Sequence, residues 1–428
     1  MQDIPENENT NPINNGFPTE NGNIPPVSSE ILPNETKNTT DLPQKTEEQN
    51  TPENNVDNFN NIQNVENTHN IGQIQNNGDN FQPNYYGYQH SYQQNYQPFP
   101  PYYQAQSVDP KVIQELVEKN KVQKTANRIG GGLLIFYGIQ IVLSFVLGFY
   151  MLYGRVMEII EDPAFTLELN VIITLIGFLS GAFLIYKTEN TKPQNVISFS
   201  TPKKGTLSAA IMVGVGFCYA ANIVVSLLQS SFQNIFPFVQ TEVELPRGGL
   251  GFILSVISVA VAPALLEEFL FRGAIMGNLI KYGKPFAIFT SAFLFGLIHG
   301  NLVQIPFAFL VGLVLGFLII ETDSIWTGVI IHFINNFISV CVDYLGDYVK
   351  EDILNIFYLI AVALFIVIGI VGIYILSVRN KNLFSFEKTE GITTSYKKFG
   401  WLCSSATVII LFVIIGLSVL FTQLTAYM

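Results

Sequence analysis

Residues 250–280 read LGFILSVISVAVAPALLEEFLFRGAIMGNLI. A spanning helix needs about 20 apolar residues, and this run exceeds that length. Its only charges are Glu267, Glu268 and Arg272. Each charge in such a setting costs several kcal/mol unless it is paired or hydrated. Two adjacent carboxylates with an arginine one turn on therefore mark a membrane helix that carries a site.

Working outward, nine apolar runs follow one another at about 131–153, 169–186, 207–228, 250–280, 285–298, 302–320, 325–345, 353–378 and 401–424. The pattern predicts an all-α fold, a polytopic transmembrane bundle of about eight or nine helices. The fifth run is short for a span. Residues 1–107 differ in kind. They are rich in Asn, Gln, Pro and Tyr, poor in aliphatic residues, and read as a disordered tail. The alternating aromatics near its end, NYYGYQHSYQQNYQ, offer a surface for a protein partner. Residues 108–128 read as a basic juxtamembrane helix, with Asp109 as its cap and Pro110 in its first turn. Val112, Ile113, Leu116 and Val117 share one face, the pattern of a helix lying at the bilayer surface. The bundle then occupies 129–378. A basic loop and a final transmembrane helix fill 379–428.

Charge separates the same parts. The tail has thirteen acidic residues against two lysines, which is the whole net charge of −11. A chain with no basic footprint is not a nucleic-acid binder. With nine helices and a cytoplasmic N-terminus, the inside segments hold sixteen lysines and arginines once Arg272 is set aside. The outside segments hold only Arg155, Arg247 and Lys350. The positive-inside rule therefore predicts the N-terminus inside. Cys218, Cys341 and Cys403 lie far apart in apolar runs and read as small buried hydrophobes. No basic-then-apolar start suggests a cleavable signal peptide.

Two of the four histidines, His299 and His332, fall at or within apolar runs. Glu268 and Arg272 are four apart, so they share a helix face and can pair. Glu267 points about 100° away and is free to face a cavity as a general base. His332 and Asn336 are also four apart and can aim two donors at one point, the arrangement an oxyanion needs. His299 can hold a water with Glu267. Two rival readings stay open. Glu267, His299 and His332 could supply three ligands to zinc, although no HExxH is present. The chain could instead be a non-catalytic scaffold, immunity or transporter-like protein, since intramembrane glutamates also serve proton relays and Gly312 and Gly316 are spaced for helix packing.

EExxxR (Glu267, Glu268, Arg272), FxxxH (Phe295, His299) and HxxxN (His332, Asn336) occur in that order on apolar runs. Over about 205–345 the chain resembles the CAAX-protease and bacteriocin-processing family of intramembrane glutamic endopeptidases, which includes the type II prenyl-protein proteases. The resemblance implies a helical membrane protease without a cofactor, with a cavity opening to the cytosol, acting on a membrane-associated peptide or protein in the lipid bilayer. Glu267 and His299 would activate water, and His332 and Asn336 would hold the oxyanion. Glu268, Arg272 and Phe295 would support them. The expected location is a bacterial plasma membrane. A distortion at Pro263 or Pro285 is expected, because straight helices counted from the ends of their apolar runs put Glu267 and His299 at different depths.

Overall fold

The computed structural model describes residues 108–153, 163–232, 244–381, 383 and 392–425, all within one compact unit spanning Phe99–Met428. The expected tail and its partner surface lie outside the described residues. Among the described residues every regular element is helical. In order they are α1 (Pro110–Tyr153), α2 (Pro163–Glu189), α3 (Lys204–Phe232), α4 (Gly248–Tyr282), α5 (Lys284–Ile298), α6 (Gln304–Thr322), α7 (Ile325–Gly346), α8 (Glu351–Arg379), α9 (Ser395–Cys403) and α10 (Ala406–Thr425). A one-turn helix, Pro193–Val196, lies between α2 and α3. Eight of the helices are long and apolar enough to cross a membrane, and α5 is a shorter apolar helix. The chain is a multi-pass helical membrane protein.

Two details depart from the sequence reading. Residues 108–128 do not form a separate surface helix. They are the first turns of α1, which runs unbroken to Tyr153. Asp109 caps it as expected, its Oδ1 accepting from the Lys111 amide at 2.9 Å. Val112, Ile113, Leu116 and Val117 remain exposed, with no packing partner for that face among the described residues. Residues 401–424 are split by Ser404 and Ser405 into α9, capped by Thr394, and α10.

Ionic contacts tie the helix ends together at one pole. Glu189 accepts from Arg128 at 2.9 Å and from Lys281 at 2.7 Å. Lys398, buried at the start of the chain's last two helices, reaches Glu118 and the carbonyl of Tyr282, each at 2.8 Å. The opposite pole carries a smaller cluster in which Arg247 binds Asp343 at 2.6 Å and Asp347 at 3.2 Å. The core between the poles is apolar and rich in phenylalanine. Phe271 packs edge-on to Phe178 and Phe295.

Candidate active site

The helix carrying the two glutamates is not a regular α-helix. Val256–Val261 and Glu268–Met276 are wound as π-helix, with one α-helical stretch, Ala262–Glu267, between them. Such wide turns often mark functional sites. Pro263 supplies a local cause. In α-helical register the carbonyl of Val259 would accept from the amide of residue 263, and proline has none. The side chain of Asn336 on α7 takes that place, its Nδ2 donating to the Val259 carbonyl at 2.9 Å. The expected distortion is therefore at Pro263. Pro285 sits harmlessly in the first turn of α5.

Glu268 and Arg272 form the expected pair, Nη1 to Oε1 at 2.8 Å, with both side chains fully buried. Arg272 also donates to the carbonyl of Gly312 at 3.4 Å and lies over the ring of Phe295, 4.4 Å from its centroid. Glu268 Oε2 and Arg272 Nε find no hydrogen-bond partner among the described residues. The same Glu268 Oε1 meets His332 Nδ1 at 3.1 Å. A carboxylate can only accept, so Nδ1 carries a proton. In a neutral ring Nε2 then holds the lone pair, and only the imidazolium has a second donor there. His332 Nε2 faces Glu267 Oε2 at 3.7 Å, beyond hydrogen-bond length.

His299 follows the last turn of α5, and its Nδ1 lies 2.8 Å from the carbonyl of Phe295. Here too Nδ1 must donate, which leaves Nε2 free to accept from a water. The ring of Phe295 packs edge-on to His299 and to His332, at 5.1 and 6.0 Å. Phe295 thus spaces both histidines as well as covering the arginine.

Glu267, His299, His332 and Asn336 all line one cavity of about 330 Å³. The depth conflict disappears when both residues are counted from the turn that joins α4 to α5. Glu267 and His299 each lie sixteen residues from the turn at Gly283, about 24 Å along the α-helical arm, α5. Gly283 has φ 128°, a conformation that side-chain-bearing residues avoid, and this permits the reversal.

Three polar lining residues were not singled out from sequence. Asn335 Nδ2 donates to Asn336 Oδ1 at 3.1 Å, and Gln304 and Ser339 stand at the exposed part of the cavity. His332, Asn335, Asn336 and Ser339 make a polar stripe at helical spacing on α7, which was the available signal. One further contact is close. A Cβ on Gly328 would come within 2.9 Å of Glu268 Oε2, so α7 passes directly against the ion pair. Among the described residues no group of three or more His, Cys, Asp or Glu is arranged to hold a metal ion.

The helical bundle thus gathers two carboxylates, Glu267 and Glu268, and two histidines in its interior. The family model described as Rce1-like, type II CAAX prenyl endopeptidase, matches residues 249–338, from the start of α4 to within α7. That segment is similar to this CAAX-type membrane peptidase family, and it contains all four catalytic candidates of the cavity. No curated protein and no solved structure matches the chain.

Proposed function

We propose that the protein is an endopeptidase that hydrolyses a peptide bond of a membrane-associated hydrophobic or lipid-modified peptide inside the bundle. The observation that carries this reading is the convergence of Glu267, His299, His332 and Asn336 on a single cavity. A water held by His299 Nε2 gives its proton to Glu267 as its oxygen attacks the carbonyl carbon. The developing oxyanion is met by the Nε2 proton of His332 in its imidazolium form and by the remaining N–H of the Asn336 amide. Collapse breaks the C–N bond, and Glu267 returns the proton to the leaving amine.

Glu268 and Arg272 are positioning residues in this scheme, because they reach the reaction only through His332 and Phe295. Asn335 likewise acts by fixing which end of the Asn336 amide faces the cavity. The mechanism uses no metal. A zinc held by Glu267, His299 and His332 is the competing chemistry, and chelation separates the two. The proposed location is a bacterial plasma membrane, with the basic pole and the N-terminus on the cytoplasmic side.

The test is a comparison of peptides released by membranes carrying wild type and Glu267→Gln at equal expression. Peptides present with wild type and missing with Glu267→Gln are expected. Identical profiles would reject the assignment.

A further inference from the structure

The direction in which the cavity opens can be read from where its lining residues sit on their helices. Among its polar lining residues His332 is the buried one. From that level Pro263 and Val259 lie toward the start of α4, away from the Gly283 turn. Gln304 begins α6, and Ser339 lies on the half of α7 that leads to Gly346. Gln304 and Ser339 are its exposed lining residues among those described. Each of these positions points to the pole of Arg247 and Asp343, and none to the pole of Gly283 and the Thr322–Ile325 turn. Interhelix contacts fix the same polarity. Tyr282 binds the carbonyl of Lys121, and Tyr137, sixteen residues further along α1, binds the carbonyl of Ile298. Helices α1 and α5 therefore run the same way, and the end of α5 at the cavity is the end remote from Tyr282.

Basic residues are divided unequally between the poles. Apart from Arg272, seventeen lysines and arginines are described, of which only Arg247 and Lys350 lie at the pole the cavity faces. The other fifteen lie at the Gly283 pole. Lysine and arginine bias of this size keeps its pole on the cytoplasmic side. Arg247 is moreover held in ion pairs by two aspartates.

We propose that the catalytic cavity opens on the extracytoplasmic side of the membrane and takes peptide segments presented from that side. This deepens the endopeptidase reading and rests on it for the word substrate. It is the reverse of the cytosolic opening that the family resemblance implies. A prenylated C-terminal tail, delivered from the cytoplasm, would meet the wrong end of the bundle. An exported peptide, or the outward-facing juxtamembrane stretch of an anchored protein, would meet the mouth at Gln304 and Ser339.

Thiol labelling in intact bacterial cells tests this. The background carries Cys218→Ala, Cys341→Ser and Cys403→Ser. Burial raises the Cys403 thiol and makes it a poor nucleophile, but its removal leaves no ambiguity. Single cysteines are then placed by Gln304→Cys, Ser339→Cys, Lys350→Cys and Lys284→Cys, and exposed to a small membrane-impermeant thiol reagent. The first three are expected to react in intact cells, and Lys284→Cys only after permeabilisation. Reaction of Lys284→Cys from outside with protection of Lys350→Cys would overturn the orientation. Reaction of Lys350→Cys alone, with both mouth positions silent from outside, would overturn the opening. The two proposals fail separately. Labelling as expected with cleavage unchanged in Glu267→Gln would retain the orientation and remove the peptidase.

Discussion

Replacing the buried pair by methionines separates its contribution to folding from its contribution to the site. Arg272→Met leaves Glu268, fully buried, with His332 as its remaining polar partner. Glu268→Met leaves a fully buried guanidinium with a 3.4 Å contact to Gly312 and the face of Phe295. Breaking a buried pair from one side costs about 3–5 kcal/mol, because an uncompensated charge is left behind. Removing both charges together is often neutral or stabilising, by roughly 1–4 kcal/mol. The double variant should thus unfold close to wild type, while each single variant unfolds well below it. Activity should not follow stability. In the double variant His332 Nδ1 loses its acceptor, a hydrogen bond to a charged group worth about 1.5–3 kcal/mol. Cleavage should fall roughly 10- to 150-fold, at 1.36 kcal/mol per factor of ten. Thermal unfolding in detergent and cleavage rate, measured on the same four proteins, read the two quantities. A double variant as unstable as the sum of the singles would refute the account of the pair. Wild-type activity in a stable double variant would refute the positioning of His332.

Three further predictions rest on single contacts. Pro263→Ala gives residue 263 an amide for the Val259 carbonyl and frees Asn336. The unfolding temperature should rise, since an interior proline costs about 3 kcal/mol, while cleavage falls about fivefold for one hydrogen bond of about 1 kcal/mol; a gain in both would contradict the role given to Asn336. Gly328→Ala improves intrinsic helix propensity by about 1 kcal/mol yet presses a methyl toward Glu268 Oε2 and Ile319, so kcat should drop with KM little changed, and unchanged kcat would show that the ion pair tolerates displacement. Cleavage should persist in strong chelator and in enzyme stripped of metal. Loss that zinc restores would favour zinc held by Glu267, His299 and His332 over the water-activation scheme.

Much of this arrangement was written in local spacing. The pairing of Glu268 with Arg272 follows from four residues on one face, and the direction of Glu267 follows from the next position. The cavity's composition was legible because few polar groups occur in these apolar runs. Depth was hidden by counting Glu267 from the outer end of its run and His299 from the inner end of its own; counted from Gly283, which joins the two arms, both are sixteen residues away. The partner of Asn336 was hidden for a different reason. Pro263 announces that a carbonyl is left without its amide, but nothing in periodicity says which side chain on another helix will reach it. Asn335 was passed over beside its neighbour, although its place in the polar stripe of α7 was visible. The direction of the cavity needed the relative level of four helices, which no single helix encodes.

The most direct measurement is cleavage of a membrane-inserted peptide by purified protein in proteoliposomes, comparing wild type with Glu267→Gln. A positioned general base contributes about 10²- to 10⁴-fold to rate. The account predicts a loss of that size, with the unfolding temperature of the variant close to that of wild type. Equal cleavage by the two proteins would contradict it.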